Sequence, residues 1–295
     1  MTNLSRRDLL ALTASAAALA ALPRATALAA DGEGKGENIG FGLVTYQWGK
    51  DWDLPTLLAN LQKTKLAGVE LRTTHAHKVE PALNEKQRDD VRKQFADSGI
   101  TLVGIGSDER FDSPDPEKLK KAIEATKEFI RLSHDIGGSG VKVKPDTFHK
   151  EVPQEKTIAQ IGTALNELGE YAAGFGQQVR LEVHGKCAEL PTIAAIMKIA
   201  TDSNVAVCWN SNPTDLNGDG LEANFKLVRD RFGATCHVRE LNDANYPFDK
   251  LFKLLVDSDY AGWILLEASS APADRIVALT EQKALFDKLI AQAQG

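Results

Sequence analysis

The sequence predicts a single-domain α/β chain folded as a closed (β/α)8 TIM barrel, and three observations predict it. From residue 39 onward, short β-branched runs alternate eight times with longer segments of helical period. Glycines punctuate the joins, and no Gly-rich phosphate turn follows the first strand. The strands are read at 39–48, 69–73, 101–107, 141–145, 179–185, 205–212, 236–242 and 263–269. Between them lie amphipathic stretches such as 116–135, where Leu119, Ala122, Ile123 and Ile130 recur at helical spacing. Asp115 before Pro116 makes a good start for that helix, since the cap oxygen satisfies an orphan amide and proline has none to satisfy. Gly68, Gly99, Gly137, Gly176, Gly233 and Gly262 each stand just before a strand, where a left-handed helix cap favours glycine. A doubly wound open sheet is the alternative, but Tyr46-Gln47-Trp48-Gly49 stands where its dinucleotide fingerprint would be. At 295 residues and 43% hydrophobic the chain suits one large core, since such barrels run to about 250 residues.

The first residues differ in kind. Ser5-Arg6-Arg7-Asp8-Leu9-Leu10 leads into the apolar run 9–22, followed by Pro23 and a small-residue Ala27-Leu28-Ala29 site. Residues 1–29 are read as a twin-arginine-type signal peptide, too short and alanine-rich for a membrane span, with an ordinary secretory signal as the alternative. The mature protein is then expected to be periplasmic or otherwise exported, without a membrane anchor. Residues 30–38 are read as a flexible polar leader and 39–295 as the barrel. Cys187, Cys208 and Cys236 are an odd number with no zinc or redox spacing, and are read as packing residues. A net charge of −6 with no basic block argues against a nucleic-acid partner.

Residues at period two on barrel strands point alternately to the helices and into the lumen. That rule turns Glu70 and Arg72, Lys142 and Lys144, Arg180, Glu182 and His184, His237 and Arg239, and Leu265, Glu267 and Ser269 inward. So many charges in a closed lumen need partners or a bound ion, because an isolated buried charge costs several kcal/mol. Barrel enzymes build their sites at the C-terminal strand ends, so Glu182, Asn210, His237 and Glu267 are expected to converge. Two carboxylates, an imidazole and an amide carbonyl suit Mn²⁺, Mg²⁺, Co²⁺ or Zn²⁺, with Mn²⁺ preferred. The bland alternatives are lumen salt bridges from Glu182 and Glu267 to Lys142, Lys144 or Arg180, and a core role for His237. His184 either lines the substrate or supports a ligand. His75 and His77 follow strand two near the mouth, as substrate contacts or solvated loop residues; Lys142, Lys144 and Arg239 are read as further substrate-binding groups. Asn242 and Asp243 follow strand seven near the mouth, and His134 and His149 are given no role.

Leu181-Glu182-Val183-His184-Gly185, Val207-Cys208-Trp209-Asn210, His237-Val238-Arg239 with Asp243, and Leu266-Glu267 give the chain its resemblance to the xylose isomerase-like TIM-barrel superfamily. That group holds sugar isomerases and epimerases, inosose dehydratases and a distant type of DNA-repair endonuclease, and the resemblance covers essentially the whole mature chain. Its metal set runs Glu, Asp, His, Glu on strands five to eight, and this chain supplies three of the four. The aspartate position is Asn210, and the histidine usual three residues later is Pro213. The resemblance implies a divalent-metal-dependent isomerase or epimerase working on a carbohydrate through an enediolate, with Glu182 and Glu267 as ligands that also exchange protons. A lyase or dehydratase acting on 3-keto-glycosides with the same site is the alternative, and a non-catalytic sugar-binding barrel is a third.

Overall fold

The structure is a computed structural model that describes residues 34–295. Residues 1–29, read above as an export signal, and the first part of the expected leader lie outside the described residues. Eight parallel strands close into a barrel in chain order: β1 (Ile39–Val44), β2 (Gly68–Arg72), β3 (Thr101–Arg110), β4 (Gly140–Lys144), β5 (Gln178–Glu182), β6 (Val205–Asn210), β7 (Phe232–Val238) and β8 (Gly262–Leu266). The barrel is sealed where β1 pairs with β8, Ile39 opposite Gly262 and Leu43 opposite Leu266. The helices α1 (Leu54–Thr64), α2 (Glu85–Ser98), α3 (Pro116–Asp135), α4 (Gln154–Ala173), α5 (Leu190–Ile199), α6 (Leu221–Val228), α7 (Phe248–Asp257) and α8 (Arg275–Gln294) alternate with the strands. Among the described residues no helix is long and apolar enough to cross a membrane.

The main core lies between the sheet and the helix ring. In α7 the buried residues are Phe248, Leu251, Phe252, Leu255 and Val256, the spacing that puts one stripe of a 3.6-residue helix against the strands. Each such side chain contributes about 1.5–3 kcal/mol by leaving water. Helix starts are set by side chains: Asp115 accepts from the amides of Glu117 and Lys118, and Asn84 forms a reciprocal cap with Gln87.

A second apolar cluster of Val44, Val103, Trp263 and Leu265 packs inside the barrel, with Trp263 near the N-terminal end of β8 and Val44 and Leu265 opposite Glu70 and His237. Trp263 fits because β1 and β2 offer glycines beneath it: a Cβ on Gly68 would lie 2.4 Å from the indole, and one on Gly40 2.7 Å. Gly104 and Gly140 likewise leave room for the Arg180 guanidinium, which a Cβ at either position would meet at 3.0 Å. The lower end of the lumen, its floor, is thus packed by the Trp263 indole and the hydrogen-bonded Arg180 guanidinium.

Three expectations are revised. Gly99, Gly137 and Gly176 do take positive φ, but Gly68, Gly233 and Gly262 lie inside strands and serve close packing; the left-handed caps near two of them are Lys65 and Asp259. The seventh strand starts at Phe232, four residues earlier than read, because a short 3-10 turn at Arg229–Arg231 delivers the chain directly into it. Residues 34–38 form a turn rather than a free leader: Gly36 packs under Val256, and Gln294 donates to the Lys35 carbonyl at 2.9 Å. Placing a methyl at the glycine nearest the indole tests the floor. Gly68→Ala is expected to lower stability by about 1–3 kcal/mol through overpacking, read as a reduced melting temperature; a melt identical to wild type would show that the indole shifts freely.

Candidate active site

The polar layer above the floor is built from strand ends. Glu182 is the last residue of β5, Asn210 the last of β6, and His237 the penultimate residue of β7; Glu267 follows β8, its amide still bonded to the Val238 carbonyl at 2.8 Å. Register does the gathering: Asn210 sits opposite His237, and Val238 opposite Leu266. One ligand atom each from Glu182, His237 and Glu267 lies within 4.8 Å of the other two. His237 Nδ1 stands 3.5 Å from Glu182 Oε1 and 3.6 Å from Glu267 Oε2. Ligand bonds of roughly 2.1 Å in a tetrahedral site put neighbouring donors about 3.4 Å apart, so the triangle has the size of a coordination shell.

The other imidazole nitrogen, Nε2, faces Glu70 Oε1 at 3.2 Å. A carboxylate there favours a proton on Nε2 and leaves the Nδ1 lone pair for the site, the usual support of a metal-binding histidine. His237 and Glu70 are wholly buried, and Glu182 is 1% exposed. Both His237 nitrogens lack a formed hydrogen bond, a condition that buried polar atoms rarely tolerate without an ion or ligand. Glu182, His237 and Glu267 therefore fit a divalent cation on geometry, donor chemistry and unmet bonding. Asn210 behaves differently from expectation: its amide nitrogen donates to Glu182 Oε1 at 2.9 Å and to Glu267 Oε2 at 3.4 Å. Two facing carboxylates draw in the donor end, so a ligand role requires the amide to turn over and present Oδ1.

Electrostatics reinforce the arrangement. Burial alone would raise the Glu182 pKa, but the Lys142 ammonium and His237 hold it well below the usual carboxylate range. Glu70 is lowered in the same way, with burial outweighed by His237, Lys142 and Arg180. Burial opposes a charged His237, yet Cys208, Glu70 and Glu182 together raise its pKa well above the ordinary value. A cation held at Nδ1 would need that nitrogen unprotonated, so its binding would release a proton.

The remaining predicted groups divide. Lys142 does not face the mouth: it is fully buried, with Nζ 2.8 Å from Glu182 Oε2. His77 spends both ring nitrogens on its own loop, meeting the Arg72 carbonyl at 2.8 Å and the Val79 amide at 3.0 Å, which leaves none for a ligand. Arg239 ties the β6 and β7 loops together through the Ser211 carbonyl, at 2.9 Å from Nε. Lys144 pairs with Asp108 at 2.8 Å, and His184 Nδ1 meets Asp146 at 3.0 Å; both stand on the β3–β5 side of the mouth, with Arg110 3.0 Å from Asp146. His75 sits at the rim on the Thr45 hydroxyl at 3.2 Å. Asn242 accepts from Gln282, and Asp243 caps its own turn through Asn245. Glu70, Asp108, Arg110 and Asp146 received no role from sequence. The period-two pair Glu70 and Arg72 was the available signal for the first, whereas Asp108 and Arg110 lie on a part of β3 that runs past Ser107. The cysteines are buried free thiols, and burial pushes Cys187 and Cys236 up to about 12, as inert packing residues.

Two measurements follow. Glu70→Gln keeps the shape and removes the charge behind His237; Mn²⁺ affinity by titration calorimetry is expected to fall about 10–100-fold, and an unchanged value would remove Glu70 from the metal centre. Burial lowers His77 to about 4 from 6.5, so the unfolded chain binds the extra proton between those values and stability rises with pH across that window. His77→Gln should flatten the acid limb of a melting-temperature profile between pH 4 and 6.5 by up to about 1.4 kcal/mol per pH unit; a limb as steep as wild type would refute the assignment. His75, also lowered to about 4 by burial and by His77 and Arg72, keeps part of the slope in the variant.

The family model described as "Xylose isomerase-like TIM barrel" matches residues 58–288. No protein of curated function matches the chain in sequence. Among solved structures, the apo 3-keto-D-glucoside 4-epimerase of E. coli superposes with a TM-score of 0.73 at 14% identity, covering 85% of this chain and 99% of that one. An L-ribulose 3-epimerase gives 0.74 at 17% identity, covering 86% and 95%. The IOLI protein, solved with a binding zinc atom, gives 0.70 at 15% identity, covering 85% and 98%. At such identities the likeness is one of fold, and it extends over nearly the full length of each relative. With the family model spanning most of the barrel, the chain belongs to the xylose isomerase-like TIM-barrel family.

Proposed function

We propose that the chain is a divalent-metal-dependent carbohydrate epimerase that moves a proton on a carbon next to a substrate ketone. The observation that carries this reading is the Glu182, His237 and Glu267 triangle at the C-terminal end of the barrel, with ligand atoms within 4.8 Å and His237 braced by Glu70. The fold's likeness to a 3-keto-D-glucoside 4-epimerase and an L-ribulose 3-epimerase supports the substrate class.

Glu182, His237 and Glu267 would hold the cation, with Asn210 as a neutral fourth ligand once its amide turns. When bound, the cation stabilises negative charge developing on the substrate oxygen, an effect often worth several kcal/mol. Glu267 is the accessible base: its side chain is 14% exposed, and Oε1 has only Arg72 at 3.9 Å. Glu182, across the triangle, returns the proton on the other face. His184, Lys144 and His75 line the rim where sugar hydroxyls would lie. A twin-arginine export signal at 1–29, which would deliver a folded and already loaded enzyme, suits a substrate found outside the cytoplasm.

One observation favours a second reading. Glu182 has Oε2 on Lys142 and Oε1 on Asn210, at 2.8 and 2.9 Å, so Glu267 is the freer proton acceptor of the two. A single base suits elimination from a 3-keto-glycoside better than a two-faced exchange. Incubating Mn²⁺-loaded protein in D₂O with L-ribulose, D-allulose and a 3-keto-glucoside separates the readings. An epimer carrying solvent deuterium supports the epimerase, and released aglycone supports the lyase. Substrate bound with neither product nor deuterium exchange would leave a sugar-binding barrel and overturn both. Glu267→Gln is expected to reduce turnover at least 100-fold under either catalytic reading, and activity near wild type would overturn its role.

A further inference from the structure

The lumen carries three carboxylates, Glu70, Glu182 and Glu267, and three permanent cations, Arg72, Lys142 and Arg180. Arg180 is locked in place by the Val103 carbonyl at 3.3 Å, the Ser139 hydroxyl at 2.5 Å and Gln178 at 3.0 Å. Arg72 stands 3.9 Å from Glu267. Lys142 is the member that touches the ligand set itself: Nζ is 2.8 Å from Glu182 Oε2, with both side chains sealed from solvent at 0% and 1% exposure. Its other neighbour is the Ser107 carbonyl at 3.4 Å. Asn210 adds no charge. These six charges sum to zero, and with His237 neutral, as a metal-binding imidazole must be, a divalent ion leaves the lumen with two uncompensated positive charges in a space where charge is poorly screened.

We propose that Lys142 is a built-in competitor for the cation: it neutralises Glu182 from the far side, keeps the metal weakly held, and makes tight binding depend on an additional anionic ligand such as an ionised substrate oxygen. The inference rests on the metal-centre reading above and goes beyond it, because it assigns the site a reversible, substrate-linked metal rather than a resident one. Two features of the site support it independently of fold. Lys142 lies on the side of Glu182 away from Asn210 and His237, so it can share the carboxylate with a metal instead of blocking the position. Its ammonium has no second carboxylate within ion-pair distance among the described residues, so Glu182 feels its charge most strongly, with Glu70 and Glu267 farther off.

Opposite effects from the two flanking residues set this role apart from a merely structural one. Glu70 braces a ligand and its loss weakens the metal; loss of the Lys142 charge should strengthen it. Titration calorimetry with Mn²⁺ alone on wild type, Lys142→Gln and Lys142→Met is expected to show at least tenfold tighter binding in both variants, with Lys142→Arg close to wild type. Equal or weaker binding in folded Gln and Met variants would overturn the proposal. Should they be too unstable for calorimetry, the rise in melting temperature on adding Mn²⁺ reads the same linkage: a larger rise than in wild type supports the competitor role, and an equal or smaller one overturns it. If wild type binds Mn²⁺ and the variants bind it no tighter, only the Lys142 role falls. If none of them binds Mn²⁺, the metal-centre reading falls with it.

Discussion

Charge balance in a closed lumen is the constraint on which the site depends. A parallel barrel sealed between β1 and β8 gives its inner side chains no route to water except the mouth, so every ionised group placed there must meet an opposite charge or an ion. This chain meets the demand within one thin layer. Glu182 lies against Lys142, Glu70 against His237, and Glu267 between Arg72 and Asn210. The pairs are not interchangeable. Those at the bottom are wholly buried and fix geometry, whereas Glu267 is partly exposed toward the mouth.

The floor makes that layer possible. Trp263 packs the lower lumen, with Val44, Val103 and Leu265 in the same cluster, and glycines on β1 and β2 admit the indole. Without the plug the polar layer would be flooded from both ends, and each charge contact would weaken toward its value in bulk water. The apolar packing between strands and helices is ordinary for the fold. The stacking of apolar floor, charged layer and open rim turns a stable barrel into a place for chemistry.

Much of this was legible in the sequence because barrel strands alternate strictly. Period two on β5 is enough to put Arg180, Glu182 and His184 on one face, and the C-terminal position of each strand end is enough to bring Glu182, His237 and Glu267 together. Alternation does not report who pairs with whom. Lys142 and Lys144 share a face, yet one is buried against Glu182 and the other sits at the rim on Asp108, because the two residues occupy different heights in the barrel. His75 and His77 look equivalent as neighbours in a loop, and only the loop's own hydrogen bonds show that His77 is spent on holding it. Glycine was the weakest guide, since it serves both left-handed caps and close packing, and the residues around Gly68 do not say which.

Asn210 shows how one neutral side chain can change a site built on this plan. An aspartate there would add a carboxylate to two others and require a cation to hold them together. The amide instead donates to both neighbours, so the triangle keeps its dimensions through hydrogen bonds as well as through any ion. A site assembled in this way is preorganised before metal arrives, and its ligands need little rearrangement to accept one. Affinity is then governed by the charges around the triangle rather than by its shape. On the proposed reading the chemistry is a proton transfer at Glu267, beside a cation position that the chain prepares but does not neutralise fully.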